Sequence, residues 1–131
     1  DLAAIIICPS NPYLSVGPIL CLPGVLDAML QCAIPRLAVS PIIGGTSVKG
    51  PLGKLLGELG AAADAVSPNC QIAAHYGPLL SHMMIDRADD DDADHLRNGG
   101  LCVTVTETLM RGPADQQGLA QQALAAVGVE F

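Results

Sequence analysis

Apolar residues in this chain gather into short runs, separated by segments rich in Pro, Gly and small polar residues. Leu2–Cys8 (LAAIIIC) is apolar throughout and partly β-branched, the pattern of a strand buried on both faces. Arg36–Ser40 (RLAVS), His82–Asp86 (HMMID) and Leu101–Thr106 (LCVTVT) read as three further strands. Helical spacing fills the intervals. Val16–Gln31 predicts two short pieces, with Pro23 at the start of the second and a stripe of Val25, Leu26, Met29 and Leu30. Pro51 opens a helix to about Leu59, with Gly60 as its cap. Asn69–Tyr76 is helical, with Ser67 or Asn69 capping it. Asp89–Asn98 is a short acidic helix ended by Gly99-Gly100, and Ala114–Val127 aligns Leu119, Ala123, Leu124 and Val127 on one face. The order β-α-β-α-α-β-α-β-α predicts an α/β fold, a parallel sheet flanked by helices, as a single domain over 1–131. Leu2–Cys8 has the composition of an interior strand yet stands at the beginning. The expectation is therefore a sheet missing N-terminal strands, in a fragment of a longer protein.

Two loops stand out against this pattern. Cys8–Pro18 and Ser40–Pro51 follow the first and second strands and exceed the 2–6 residues usual for connections in α/β units. In open parallel sheets, ligands bind beyond the carboxyl ends of the strands. There the segments 9–18, 41–50, 86–89 and 106–111 would share one rim. Gly44-Gly45 permits close backbone approach, and Lys49 supplies a compact positive charge. The helix starting near Pro51 would aim N–H groups at the same place. Ser10, Asn11, Ser15, Ser40, Thr46 and Ser47 add hydrogen-bonding groups. Together they describe a phosphate or diphosphate cradle. The same residues could equally be tight turns in which Ser and Thr satisfy their own backbone. Neither G-x-x-x-x-G-K-S/T nor G-x-G-x-x-G is present.

Composition narrows the classes. Half of the residues are hydrophobic but only 2% are aromatic, so the core must be Ile, Leu, Val and Ala. The net charge of −7 argues against nucleic acid as a partner. Much of it lies in Asp89–Asp92 and Asp94, a run expected to face solvent. The odd count of five cysteines, without C-x-x-C spacing, reads as reduced core thiols in a cytoplasmic protein, with no zinc site. No run of 18 apolar residues exists, so no membrane association is expected.

The segments SNPYLSVGPIL (Ser10–Leu20) with LPG (Leu22–Gly24), and AVSPIIGG (Ala38–Gly45) with VKGP (Val48–Pro51), resemble the 2-phospho-L-lactate transferase (CofD) family of coenzyme F(420) biosynthesis. AAHY (Ala73–Tyr76), MID (Met84–Asp86) with Asp89, and TETLM (Thr106–Met110) follow in the family's order. The resemblance implies a Rossmann-like fold. It implies transfer of a phospholactyl or phosphoenolpyruvyl group from a GDP-activated donor (lactyl-2-diphospho-5'-guanosine) to the deazaflavin alcohol FO, releasing GMP, with magnesium as cofactor. It covers the C-terminal portion of the family. The N-terminal Gly-rich nucleotide loop and metal-binding aspartates have no match, and Thr46 stands where many members carry a basic residue. A non-catalytic member that binds a nucleotide-linked metabolite, or an inactive truncated chain, is the alternative.

On this reading Lys49 is the catalytic residue. Ser10, Asn11, Pro12, Ser15, Gly17, Ser40, Gly44, Gly45, Thr46 and Thr106 bind substrate. Asp86 and Asp89 end the third strand, and carboxylates suit Mg²⁺. The plainer reading is a capping Asp89 and a solvated Asp86. His75 is expected at the surface or in packing, Glu107 exposed, and His82 and His95 without ligand partners. A missing sheet neighbour would favour a homodimer or aggregation.

Overall fold

The computed structural model describes residues 2–60 and 66–130. Its strands are β1 (Ile5–Ile7), β2 (Arg36–Val39), β3 (Ile42–Ile43), β4 (Thr46–Ser47), β5 (His82–Asp86) and β6 (Cys102–Thr106). Four of them, β1, β2, β5 and β6, lie side by side in that order as one parallel sheet, while β3 and β4 pair separately. The register sets Ile6 opposite Leu37, Ala38 opposite Met83, and Met84 opposite Thr104. The helices are α1 (Gly17–Leu20), α2 (Val25–Gln31), α3 (Leu52–Gly60), α4 (Pro68–Tyr76), α5 (Ala93–Asn98) and α6 (Pro113–Ala126). This is the α/β parallel sheet that the alternation of runs predicts, and the Rossmann-like arrangement that the family resemblance implies.

A sheet that grows in one direction places its right-handed crossovers on one face. Ala38, Met83 and Ile85 accordingly pack with Leu52, Leu56, Ile72 and Leu96 from α3, α4 and α5. Leu37, Val39 and Met84, which point the other way, meet Leu119, Ala123 and Val127 at and beyond α6. Of the face expected on the last helix, Leu119, Ala123 and Val127 are buried, Val127 just past the end of α6, while Leu124 is half-buried and outside the cluster. Tyr76, buried in the first cluster, has its phenol pushed up to about 12 by that burial.

Several expectations are corrected. The first strand spans only Ile5–Ile7 and is an edge strand, half-buried, because among the described residues it pairs with β2 alone. Pro23 does not start α2, which begins at Val25 after Gly24 at φ 79°. The α2 stripe is not buried: Leu26 and Leu30 remain exposed, and Met29 packs on the core. Gly60 is the last described residue of α3, so its capping role lies outside the described residues. Ser67 is the cap of α4, its hydroxyl accepting from Cys70 N–H, while Asn69 turns inward. Asp89–Asn98 is not one helix. A 3₁₀ turn, Arg87–Asp92, kinks at Asp89 before α5 begins.

The cysteines are free, as expected, but they are not core: Cys8, Cys21 and Cys102 are exposed, and Cys32 and Cys70 half-buried. No single helix among the described residues is long and apolar enough to cross a membrane.

Candidate active site

Residues just beyond three of the strand ends enclose a cavity of about 540 Å³. Pro9, Ser10, Asn11, Leu14 and Ser15 come from the segment after β1. Ser40, Pro41, Ile43 and the run Val48–Leu52 come from the segment after β2, and Thr108, Leu109 and Met110 from the segment after β6. The convergence of 9–18, 41–50 and 106–111 on one rim is therefore observed. Of the fourth segment, 86–89, Asp86, Arg87 and Ala88 line a smaller neighbouring cavity with Ile43, Glu107 and Leu109.

The wall after β1 is a single π-helical turn, Pro12–Val16, running into α1. Asn11 caps it: its Oδ1 accepts from Tyr13 N–H at 2.9 Å and Leu14 N–H at 3.0 Å. These two donors fix the amide orientation. Asn11 Nδ2 is left buried without a partner, a donor awaiting an acceptor. Gly17 closes the turn by donating to the Pro12 carbonyl. A Cβ at Gly17 would stand 3.2 Å from that oxygen, so the glycine permits the tight turn.

The wall after β2 contains an element the loop reading missed. β3 and β4 form a hairpin around Gly44-Gly45, both at positive φ (61° and 73°). A two-residue turn of that kind favours glycine. The signal was present in the sequence as a Gly-Gly pair after β-branched residues. The hairpin leads through Val48-Lys49-Gly50-Pro51 into α3, and Ser47 Oγ accepts from Gly53 N–H at 3.1 Å. Lys49 is exposed and is the one charged group among the described lining residues. Leu14, Pro41, Ile43, Leu52, Leu109 and Met110 make much of the remaining wall apolar.

The sequence-predicted residues divide. Ser10, Asn11, Ser15, Ser40 and Lys49 line the cavity. Pro12, Gly17, Gly44, Gly45, Thr46 and Thr106 do not. Pro12 is fully buried under the turn. The Gly44 and Gly45 N–H groups, expected to face a ligand, donate to Asp89 Oδ2 at 2.9 Å and Oδ1 at 2.6 Å. Thr46 hydrogen-bonds back to Ile43, and Thr106 is buried and donates to Gln122 of α6. Ser40 is in the wall, but its proton goes to Asn69 Oδ1 at 2.6 Å and its oxygen accepts from Ile42 N–H.

The acidic run is likewise not a uniformly solvated face. Asp89 is buried, and half-buried Asp92 accepts from Asn69 Nδ2 at 2.9 Å. Asp86 is buried, not solvated, and accepts from Ala88 N–H, Thr108 N–H and the Thr108 hydroxyl. Burial works against its ionisation. The three hydrogen bonds and the Arg87 charge outweigh that and hold its carboxyl below the ordinary 3.8.

Asp86 and Asp89, the two magnesium candidates, both accept hydrogen bonds from the protein's own donors, and neither lines the larger cavity. No group of three His, Cys, Asp or Glu that could hold a metal ion occurs among the described residues. His75 is at the surface and packs against Tyr13, the ring centroids 4.2 Å apart and the planes tilted by 42°. Glu107 is exposed and pairs with Arg111. Leu14, Leu52, Thr108, Leu109 and Met110 were not singled out as lining residues. Leu14 lies within the predicted rim segment 9–18 and Thr108, Leu109 and Met110 within 106–111, whereas Leu52 lies just past 41–50.

The chain is similar over most of its length to several transferases. It is 34% identical to a phosphoenolpyruvate transferase of Kitasatospora aureofaciens, over 89% of this chain and 36% of the relative. It is 33% identical to a 2-phospho-L-lactate transferase of Methanosarcina barkeri, over 89% and 36%. With a phosphoenolpyruvate transferase of Mycobacterium avium the identity is 32%, over 98% and 37%. The chain thus spans little more than a third of the length of these relatives. The family described as 2-phospho-L-lactate transferase CofD matches residues 1–109, and the chain belongs to that family.

Proposed function

We propose that this chain forms the acceptor-binding part of a transferase in coenzyme F(420) biosynthesis. The observation that carries the reading is the cavity at the strand ends. It joins apolar walls to one cation, Lys49, and to Asn11 with its unpartnered amide nitrogen. An aromatic deazaflavin suits the apolar part, and a phosphate suits the donors. The donor is a GDP-activated phospholactate or phosphoenolpyruvate, and the acceptor is FO. The FO alcohol oxygen forms a bond to the phosphorus bearing the lactyl or enolpyruvyl group. The P–O bond to GMP breaks, and the alcohol proton is lost.

Such transfers depend on positioning and charge stabilisation. Lys49 Nζ would balance negative charge on the transferred phosphate, with Asn11 Nδ2 and the Ser10 and Ser15 hydroxyls fixing its oxygens. Magnesium, which the resemblance implies, would add charge neutralisation on the phosphates of the donor. For this chain by itself we propose ligand binding at the cavity, with turnover measured in the full-length enzyme.

The test is Lys49→Ala in the full-length enzyme, followed by FO fluorescence and product formation. The rate falls at least about tenfold, equivalent to about 1.4 kcal/mol of transition-state stabilisation. An unchanged rate would remove Lys49 from the mechanism. For the isolated chain, millimolar FO raises the melting temperature; no shift would favour an inactive fragment.

A further inference from the structure

Asp89 sits at the kink between the 3₁₀ turn and α5, with backbone at φ −119°, ψ 26°. It is only 9% exposed, and both carboxylate oxygens turn toward the rim. They accept from two consecutive N–H groups, Gly44 at 2.9 Å and Gly45 at 2.6 Å, across about 45 residues of sequence. Consecutive N–H groups in a turn form a concavity that favours an anion, and here the protein's own carboxylate fills it. The hairpin it grips has only two residue pairs, Ile42 with Ser47 and Ile43 with Thr46. A ribbon that short does not hold its own geometry in water. Its far end is tied to α3 by the Ser47–Gly53 bond. Lys49 lies within the segment that this bond closes.

We propose that Asp89 is a positioning residue: its carboxylate clamps the Gly44-Gly45 turn and so sets where Lys49 stands over the cavity. The role of Lys49 rests on the function proposed above; the clamp itself does not. An asparagine at this position keeps one acceptor oxygen but presents an NH₂ group to the other N–H, so it breaks the two-point grip.

Asp89→Asn in the full-length enzyme separates the possibilities. Hydrogen exchange at Gly44 and Gly45 accelerates at least about tenfold while the core strands keep their protection. kcat falls about tenfold, with KM for the acceptor changed by less than about threefold, the mark of an interaction lost chiefly in the transition state. Unaltered exchange at the two glycines overturns the clamp. Faster exchange there with kcat and KM unchanged overturns its positioning role, as does a kcat loss that only tracks loss of folded protein. Exchange is read without turnover, so it decides the clamp even where the transfer reaction itself is not found.

Discussion

Replacing Asn69 by alanine tests the polar chain beneath the site. Asn69 is fully buried in the first turn of α4. Its Oδ1 accepts the Ser40 proton at 2.6 Å, and its Nδ2 donates to the Asp92 carboxylate at 2.9 Å. Ser40, itself 2% exposed, accepts from Ile42 N–H, the first residue of the hairpin. The substitution removes one neutral and one charge-assisted hydrogen bond, worth about 1 and about 1.5–3 kcal/mol. It also leaves the buried Ser40 hydroxyl without its protein acceptor. The sum is a loss of about 2–4 kcal/mol. With a urea dependence of about 1–3 kcal/mol per molar, the midpoint falls by roughly 1 M or more at unchanged slope. Urea unfolding of Asn69→Ala, Ser40→Ala and the double variant completes a cycle. The double change costs about 1 kcal/mol less than the sum of the singles, because both remove the same bond. A single-variant loss under about 0.5 kcal/mol, or strict additivity, refutes the chain.

Two further substitutions probe the frame around the site. Asp86→Asn costs about 1–3 kcal/mol, because a buried carboxylate that accepts three hydrogen bonds becomes an amide. Its folded-state value lies below the ordinary 3.8, so its contribution is complete above 3.8 and disappears as pH falls through the lower folded value. Acid unfolding curves of the parent and the variant should therefore converge below that range, and curves that stay parallel would count against it. Arg36→Lys lowers the melting temperature. Arg36 Nε donates to Leu79 O and its Nη1 to Cys32 O, each at 2.6 Å, and an ammonium cannot reproduce that fork. The expected loss is about 1–2 kcal/mol; an unmoved melting curve would show that the fork does not matter.

The sequence determined most of what is local. Alternating apolar runs and helical stripes placed the four sheet strands in order, since a run such as HMMID can be satisfied only by burial on both faces. Pro and Gly punctuation marked the rim loops, and the SNP and SPIIGG–VKGP segments carried the family. The tertiary structure decided what depends on partners distant in sequence. Gly44 and Gly45 looked like ligand donors until Asp89, on another loop, took both N–H groups. Asp89 and Asp92 looked like solvated charge until the kink at Asp89 turned them inward. Ser40 and Thr106 looked like rim hydroxyls until Asn69 and Gln122 claimed them. A hydrogen-bonding group shows its chemistry in the sequence, but its availability depends on which other group the fold brings within about 3 Å of it.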